Sequence, residues 1–198
     1  MLIKVYGSAI SGIVATTITI EVNVDKGINF LLVGLPDNAV KESQQRIASA
    51  LNYYGYKIPG KKIVINMAPA DLKKEGSAYD LPLAIGILGA SEQICSHKLA
   101  DYIIMGELSL DGSLNKIKGA LPIALEAKKQ GFKGIILPKC NAKEAAIVTD
   151  LEVYGADNIL EVINFFDGQS SLERTFIDIK QEFAKSLDNY EFDFIDVK

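Results

Sequence analysis

Ser77 follows the charged turn Asp71-Leu72-Lys73-Lys74-Glu75-Gly76 and opens an apolar run in which Pro82 fits the first turn of a helix. A serine at such a place has two uses. Its hydroxyl can cap the helix, or it can act as a nucleophile if a base accepts its proton. The candidate bases are Lys73, Lys74 and Lys118. A lysine serves only if burial brings its pKa down toward neutrality, and Lys73 and Lys74 are expected to stay solvated in their turn. Gly55 to Lys61 fits G-x-x-x-x-G-K, but Lys62 stands where a hydroxyl should hold magnesium. A helical pattern precedes that segment and a strand pattern follows it, the reverse of a phosphate loop. It reads as a turn. His97, the single histidine, sits among polar neighbours and reads as a solvated loop residue.

The elements that must position these groups follow from periodicity. Val14, Thr16, Ile18, Ile20 and Val22 alternate with Ala15, Thr17, Thr19, Glu21 and Asn23, the period of a half-buried strand. Residues 1–9 are its expected partner. Residues 30–33 form a short strand, and Asp37 caps a helix whose apolar face is Val40, Ile47, Leu51 and Tyr54. A strand is expected over 62–68 and a helix over 79–93. Runs 103–108 and 114–117 flank Asp111-Gly112, a hairpin signal. A helix over 119–130, a strand over 134–137, a helix capped by Asn141 with Glu144 in reciprocal support, a strand over 152–154 and a helix from Asn158 complete the body. Strands that pair early and then alternate with helices favour an α/β (α+β) fold, a mixed sheet with packing helices.

Bulk properties narrow the function. A hydrophobic content of 48% with 23% charged residues is globular composition. No apolar run is long enough for a membrane span, and the start lacks the pattern of a signal peptide. Cys95 and Cys140 are too few for a disulfide framework or a zinc site, so a cytoplasmic location and no membrane partner are expected. The net charge of −4 argues against binding DNA by bulk electrostatics. Residues 169–198 carry seven acids against four bases, leaving the body near neutral. A helix is expected over 172–187. Residues 190–198, which alternate aromatic or aliphatic with acidic side chains, read as the first strand of a following unit.

Ala70 to Leu83, with Gly106-Glu107-Leu108, Asp111-Gly112 and Lys133 to Pro138, resembles the Lon-protease-like domain, of ribosomal protein S5 domain 2-like fold. In that family a Lys-Asp-Gly-Pro-Ser-Ala-Gly segment holds a catalytic serine, and a Gly-Gly-Leu-Lys segment holds its lysine. Alignment places Ala78 at the serine position and Leu121 at the lysine position, so the dyad is degenerate. A shifted hydrolase dyad, Ser77 with Lys118, is the alternative, since Lys118 lies about one helical turn from Leu121.

A narrower resemblance rests on Val33-Gly34-Leu35-Pro36-Asp37, Val40 to Ser43, Arg46-Ile47, Ser49 to Leu51, Ile65 to Gly76 and Tyr79 to Pro82. These are similar to the N-terminal domain of the ComM/YifB family of magnesium-chelatase-like AAA+ ATPases, over residues 1–167. The resemblance implies that 168–198 is an acidic linker to an AAA+ module absent from this chain. Asp196-Val197-Lys198 matches the opening of that module. It further implies a hexameric motor that moves branched DNA in recombination and natural transformation, with ATP and magnesium held by that module and no cofactor in this domain. Its partners would be its own AAA+ module, neighbouring subunits and DNA. Lys73, Lys74, Lys116 and Lys118, with Lys57, Lys61 and Lys62, are the candidates for DNA or partner contact. A purely architectural domain that sets hexamer geometry is the remaining reading.

Overall fold

The structure, a computed structural model, describes residues 1–177. Strand β1 (Leu2–Ser11) and strand β2 (Val14–Asp25) form an antiparallel hairpin, followed by β3 (Phe30–Val33), α1 (Asn38–Tyr53) and β4 (Lys62–Ala68). Helix α2 (Asp80–Ala90) and β5 (Tyr102–Ile104) precede a two-stranded ribbon, β6 (Glu107–Leu108) with β7 (Leu114–Asn115). Helix α3 (Ala120–Lys129), β8 (Gly134–Pro138), α4 (Lys139–Ala145), β9 (Glu152–Ala156) and α5 (Ile159–Asp167) complete the order. Seven strands form one mixed sheet in the order β3-β4-β2-β1-β5-β8-β9. β2 is antiparallel to both β1 and β4, and the other neighbouring pairs are parallel.

The period of two in β2 decides which face is covered. Ile18, Ile20, Val22 and Val24 are buried, while Thr17, Thr19, Glu21 and Asn23 on the other face are partly open. Every residue of α2 is buried. A helix apolar all round must have neighbours all round, and α2 lies between the β1–β2 hairpin and α1. On the opposite face α3 packs near the hairpin's tip, and a methyl group built on Gly119 would lie 3.1 Å from the Ile10 side chain. Among the described residues no helix is long and apolar enough to cross a membrane.

Three expectations are corrected. The run 103–108 is not one hairpin arm: it divides at Met105-Gly106, so that β5 joins the main sheet and β6 forms the ribbon with β7. Asn141 does not cap α4, which starts at Lys139. It is buried, and its amide accepts from Ile117 N and donates to Ile117 O, both at 2.9 Å. The reciprocal cap sits instead at α5, where Asn158 accepts from Glu161 N at 3.1 Å and the Glu161 carboxylate accepts from Asp157 N at 2.9 Å. Lastly, residues 172–177 are not helical. Arg174 bridges Tyr154, and Thr175 N donates to Val153 O at 2.8 Å, so this segment lies along the β9 edge. The rest of the expected helix, and the strand expected over 190–198, lie outside the described residues.

Candidate functional site

The site is built where β4 runs out and α2 begins. Between them the chain loops past the cis Ala68-Pro69 bond to Ser77. The loop is held by Leu35-Pro36-Asp37: Lys74 N donates to Leu35 O at 3.2 Å, and Asp37 N donates to Lys74 O at 3.0 Å. Asp37 serves twice. One carboxylate oxygen accepts from Val40 N at 2.8 Å and caps α1, and the other accepts from Gly76 N at 3.0 Å. The expected cap at Asp37 is therefore observed, and it also fixes the loop.

Lys74 corrects the expectation of a solvated turn. It is 0% exposed, and its ammonium donates to Pro69 O. Burial lowers its pKa, with Asp71 acting the other way. Buried in this way, Lys74 cannot reach a phosphate or a partner surface. Lys73 does remain exposed, and its ammonium sits 2.6 Å from Glu75.

Ser77 donates its hydroxyl to Glu107, whose other oxygen accepts from Asn115 Nδ2 at 3.1 Å. The serine's partner is thus a carboxylate on β6 and not a lysine. Ala78, half-buried, uses its carbonyl to accept from Gly106 N at 2.8 Å, and Leu81 N donates to Gly106 O at 2.9 Å. These two bonds dock the start of α2 onto the turn before β6. Leu121 packs against the core, and its N–H donates to Glu144 Oε1 at 3.1 Å. The side chains of Ala78 and Leu121 are a methyl and an isobutyl group, and neither can attack or carry a proton.

Beneath the loop lies a pair that pattern reading did not single out. Arg46 on α1 donates from Nε to Asp80 Oδ2 at 2.6 Å and from Nη2 to Asp80 Oδ1 at 2.9 Å. Arg46 Nη2 also donates to Ala39 O at 2.8 Å, and Leu108 N donates to Asp80 Oδ2 at 3.2 Å. One carboxylate thereby joins α1, α2 and β6. The available signal was an acid in the first turn of a wholly apolar helix, a position that needs a partner once buried.

Lys116 and Lys118 are both exposed, flanking Ile117, which is buried and clamped by Asn141. Among the described residues neither forms an ion pair. Gly55 to Lys62 joins the end of α1 to β4, and the Gln93 side chain brackets Lys57 at its N–H and carbonyl. The segment leads from a helix into a strand, so it is a turn and not a strand-to-helix phosphate loop. His97 is exposed, and no three His, Cys, Asp or Glu side chains group to hold a metal among the described residues.

The mixed sheet and the buried α2 define an α/β domain of which a Lon protease is a distant relative. The chain belongs to the family described as subunit ChlI of Mg-chelatase, whose sequence profile matches residues 20–141. It is 44% identical over 169 residues to the competence protein ComM of Haemophilus influenzae, covering 85% of this chain and 33% of that protein. It is 46% identical over 171 residues to the protein YifB of Escherichia coli, covering 86% and 34%. An archaeal Lon protease of Thermococcus kodakarensis is 26% identical over 138 residues, covering 67% and 21%. The chain spans about a third of the length of the first two relatives.

Proposed function

We propose that this chain is a non-catalytic domain of an ATP-driven DNA-processing protein and that it contacts DNA through Lys116 and Lys118. What supports the first part is chemical: the family pattern would put Ala78 and Leu121, which cannot react, at its dyad positions, and the observed partner of the Ser77 hydroxyl is Glu107. The second part is supported by two exposed lysines that flank Ile117, whose backbone Asn141 clamps, on a body that is otherwise near neutral. The protein is cytoplasmic in this reading, and residues 168–198 lead toward an AAA+ module that holds ATP and magnesium. Neighbouring subunits of a hexamer are the other partners.

Phosphate contacts release counterions, so binding falls steeply with salt. Fluorescence anisotropy of the chain with a labelled duplex is expected to give a log–log salt slope of about −2. Lys116→Glu with Lys118→Glu is expected to abolish binding. Absence of binding by the wild-type chain at low salt would overturn the DNA contact and favour a purely architectural domain.

A further inference from the structure

The main sheet ends at β9, and an edge strand shows unpaired backbone groups that another strand can join. The chain itself returns to this edge. Helix α5 stops at Gly168, whose φ of 70° turns the backbone. Gln169 N and Ser170 N then both donate to Asn164 O, at 2.9 and 3.3 Å, which ties this end to the helix. Beyond it Leu172 packs against the core, Arg174 bridges Tyr154 in the antiparallel sense, and Thr175 N donates to Val153 O at 2.8 Å. Arg174 Nη2 reaches Leu151 O at 3.4 Å, and its guanidinium lies over Phe176, 4.9 Å from the ring centroid.

This attachment is weaker than the sheet it covers. On its other side β9 is paired with β8 along its whole length, from Glu152 to Ala156. Among the described residues the returning segment has one bridge, one short backbone bond and one long side-chain bond to β9 and its approach. Phe176 is 75% exposed, so its ring gains little from burial. Local stability follows buried contacts and protected backbone bonds. A segment held by a partly buried leucine and one backbone bond therefore opens before the sheet does. Its root at Asn164 stays in place when it opens.

We infer that residues 171–177 are a detachable strap. Docked, they close the β9 edge and fix where the chain leaves the domain. Released, they uncover that edge and lengthen the tether to the residues after Ile177. Fully extended, residues 171–177 span up to about 25 Å, which is the reach that release adds. The uncovered edge then accepts an extended segment from elsewhere through backbone pairing. Neither state of the strap depends on the DNA contact proposed above.

Amide hydrogen exchange on the intact chain reads the strap directly. In the wild type the Thr175 amide is expected to exchange roughly tenfold slower than in an unstructured chain, the protection that one backbone bond and an apolar anchor give. Arg174→Ala removes the bond to Leu151 O and the stacking on Phe176. Corrected for intrinsic rates, it is expected to speed Thr175 exchange roughly threefold or more. The amides of Ile20 and Val22, on a strand paired on both sides, keep their wild-type rates in this variant. Exchange of the wild-type Thr175 amide at the unstructured rate shows that nothing is docked and overturns the strap. Equal acceleration of Thr175, Ile20 and Val22 shows that the segment opens only with the whole domain and overturns its detachment. Unchanged Thr175 exchange in Arg174→Ala overturns the assigned hold on the β9 edge.

Discussion

Replacing Arg46 with alanine is expected to lower the unfolding free energy by about 3 kcal/mol or more, read as a drop in the denaturant midpoint. The Asp80 side chain is 0% exposed, and without the guanidinium it keeps the Leu108 N–H as its protein donor. Burial pushes the Asp80 carboxyl up from its ordinary range, while the Arg46 guanidinium draws it back. In Arg46→Ala the guanidinium's pull is gone. Burial, opposed only by the Leu108 N–H and aided by the Glu107 charge, then makes the folded state hold the proton to higher pH than the unfolded chain does. The variant's deficit is then smallest in acid and grows as pH rises through the ordinary carboxylate range. Asp80→Asn should cost less, because the Arg46 side chain is 22% exposed and can turn its charge to water. Equal costs for the two variants, or a cost below about 1 kcal/mol for Arg46→Ala, would show that the pair does not hold the site together.

The second large effect is expected at Gly34. Its φ is 103°, and a Cβ built there would lie 2.1 Å from Met67 O and 2.9 Å from Met67 C. Met67 is within β4 and pairs with Ile20 of β2, so its backbone cannot move without opening the sheet. Gly34→Ala combines a conformation disfavoured for L side chains, at ~1–3 kcal/mol, with overpacking of about the same size. A loss near 4 kcal/mol is expected, with the Asp37 and Lys74 pairings displaced. Gly12→Ala is the control. Its φ is also positive at 62°, but nothing lies within 4 Å of its Cβ, so only the conformational cost of about 1 kcal/mol remains. Equal losses at the two positions in denaturant titrations would contradict the packing described at β4.

The residues that strands display by alternation were legible in advance, because β2 has one covered face and one open face. The same holds for the cap at Asp37, set by neighbours within three residues, and for the start of a helix at Asn158. Asn141 was misread since its partner, Ile117, is distant in sequence. The capping pattern was present, but two backbone groups across the fold compete for the same amide and win. The run 103–108 looked like one strand, yet Gly106 exchanges hydrogen bonds with Ala78 and Leu81 at the head of α2, which turns the chain out of the sheet. Lys74 shows the limit most clearly. Its neighbours Lys73 and Glu75 are 65% and 64% exposed at their side chains, and only the long-range pairing with Leu35 and Asp37 buries the residue between them.

Aligning Lys74-Glu75-Gly76, and Gly112 with Gly119, on the family pattern is what assigns Ala78 and Leu121 to the dyad positions. The partners around them were not legible: Glu107 meets the Ser77 hydroxyl from the ribbon, and Glu144 meets the Leu121 N–H from α4. Both carboxylates come from elements distant in sequence. They leave a scaffold in which Ser77, Ala78 and Leu121 each have a packing or hydrogen-bonding use.

Whether that scaffold hydrolyses anything is settled by treating the chain with a fluorophosphonate and measuring its intact mass. The unmodified mass is predicted, because the Ser77 hydroxyl is donated to the Glu107 carboxylate and, among the described residues, to no lysine. An adduct mapped to Ser77, and lost in Lys118→Ala, would contradict that prediction and make this domain a hydrolase.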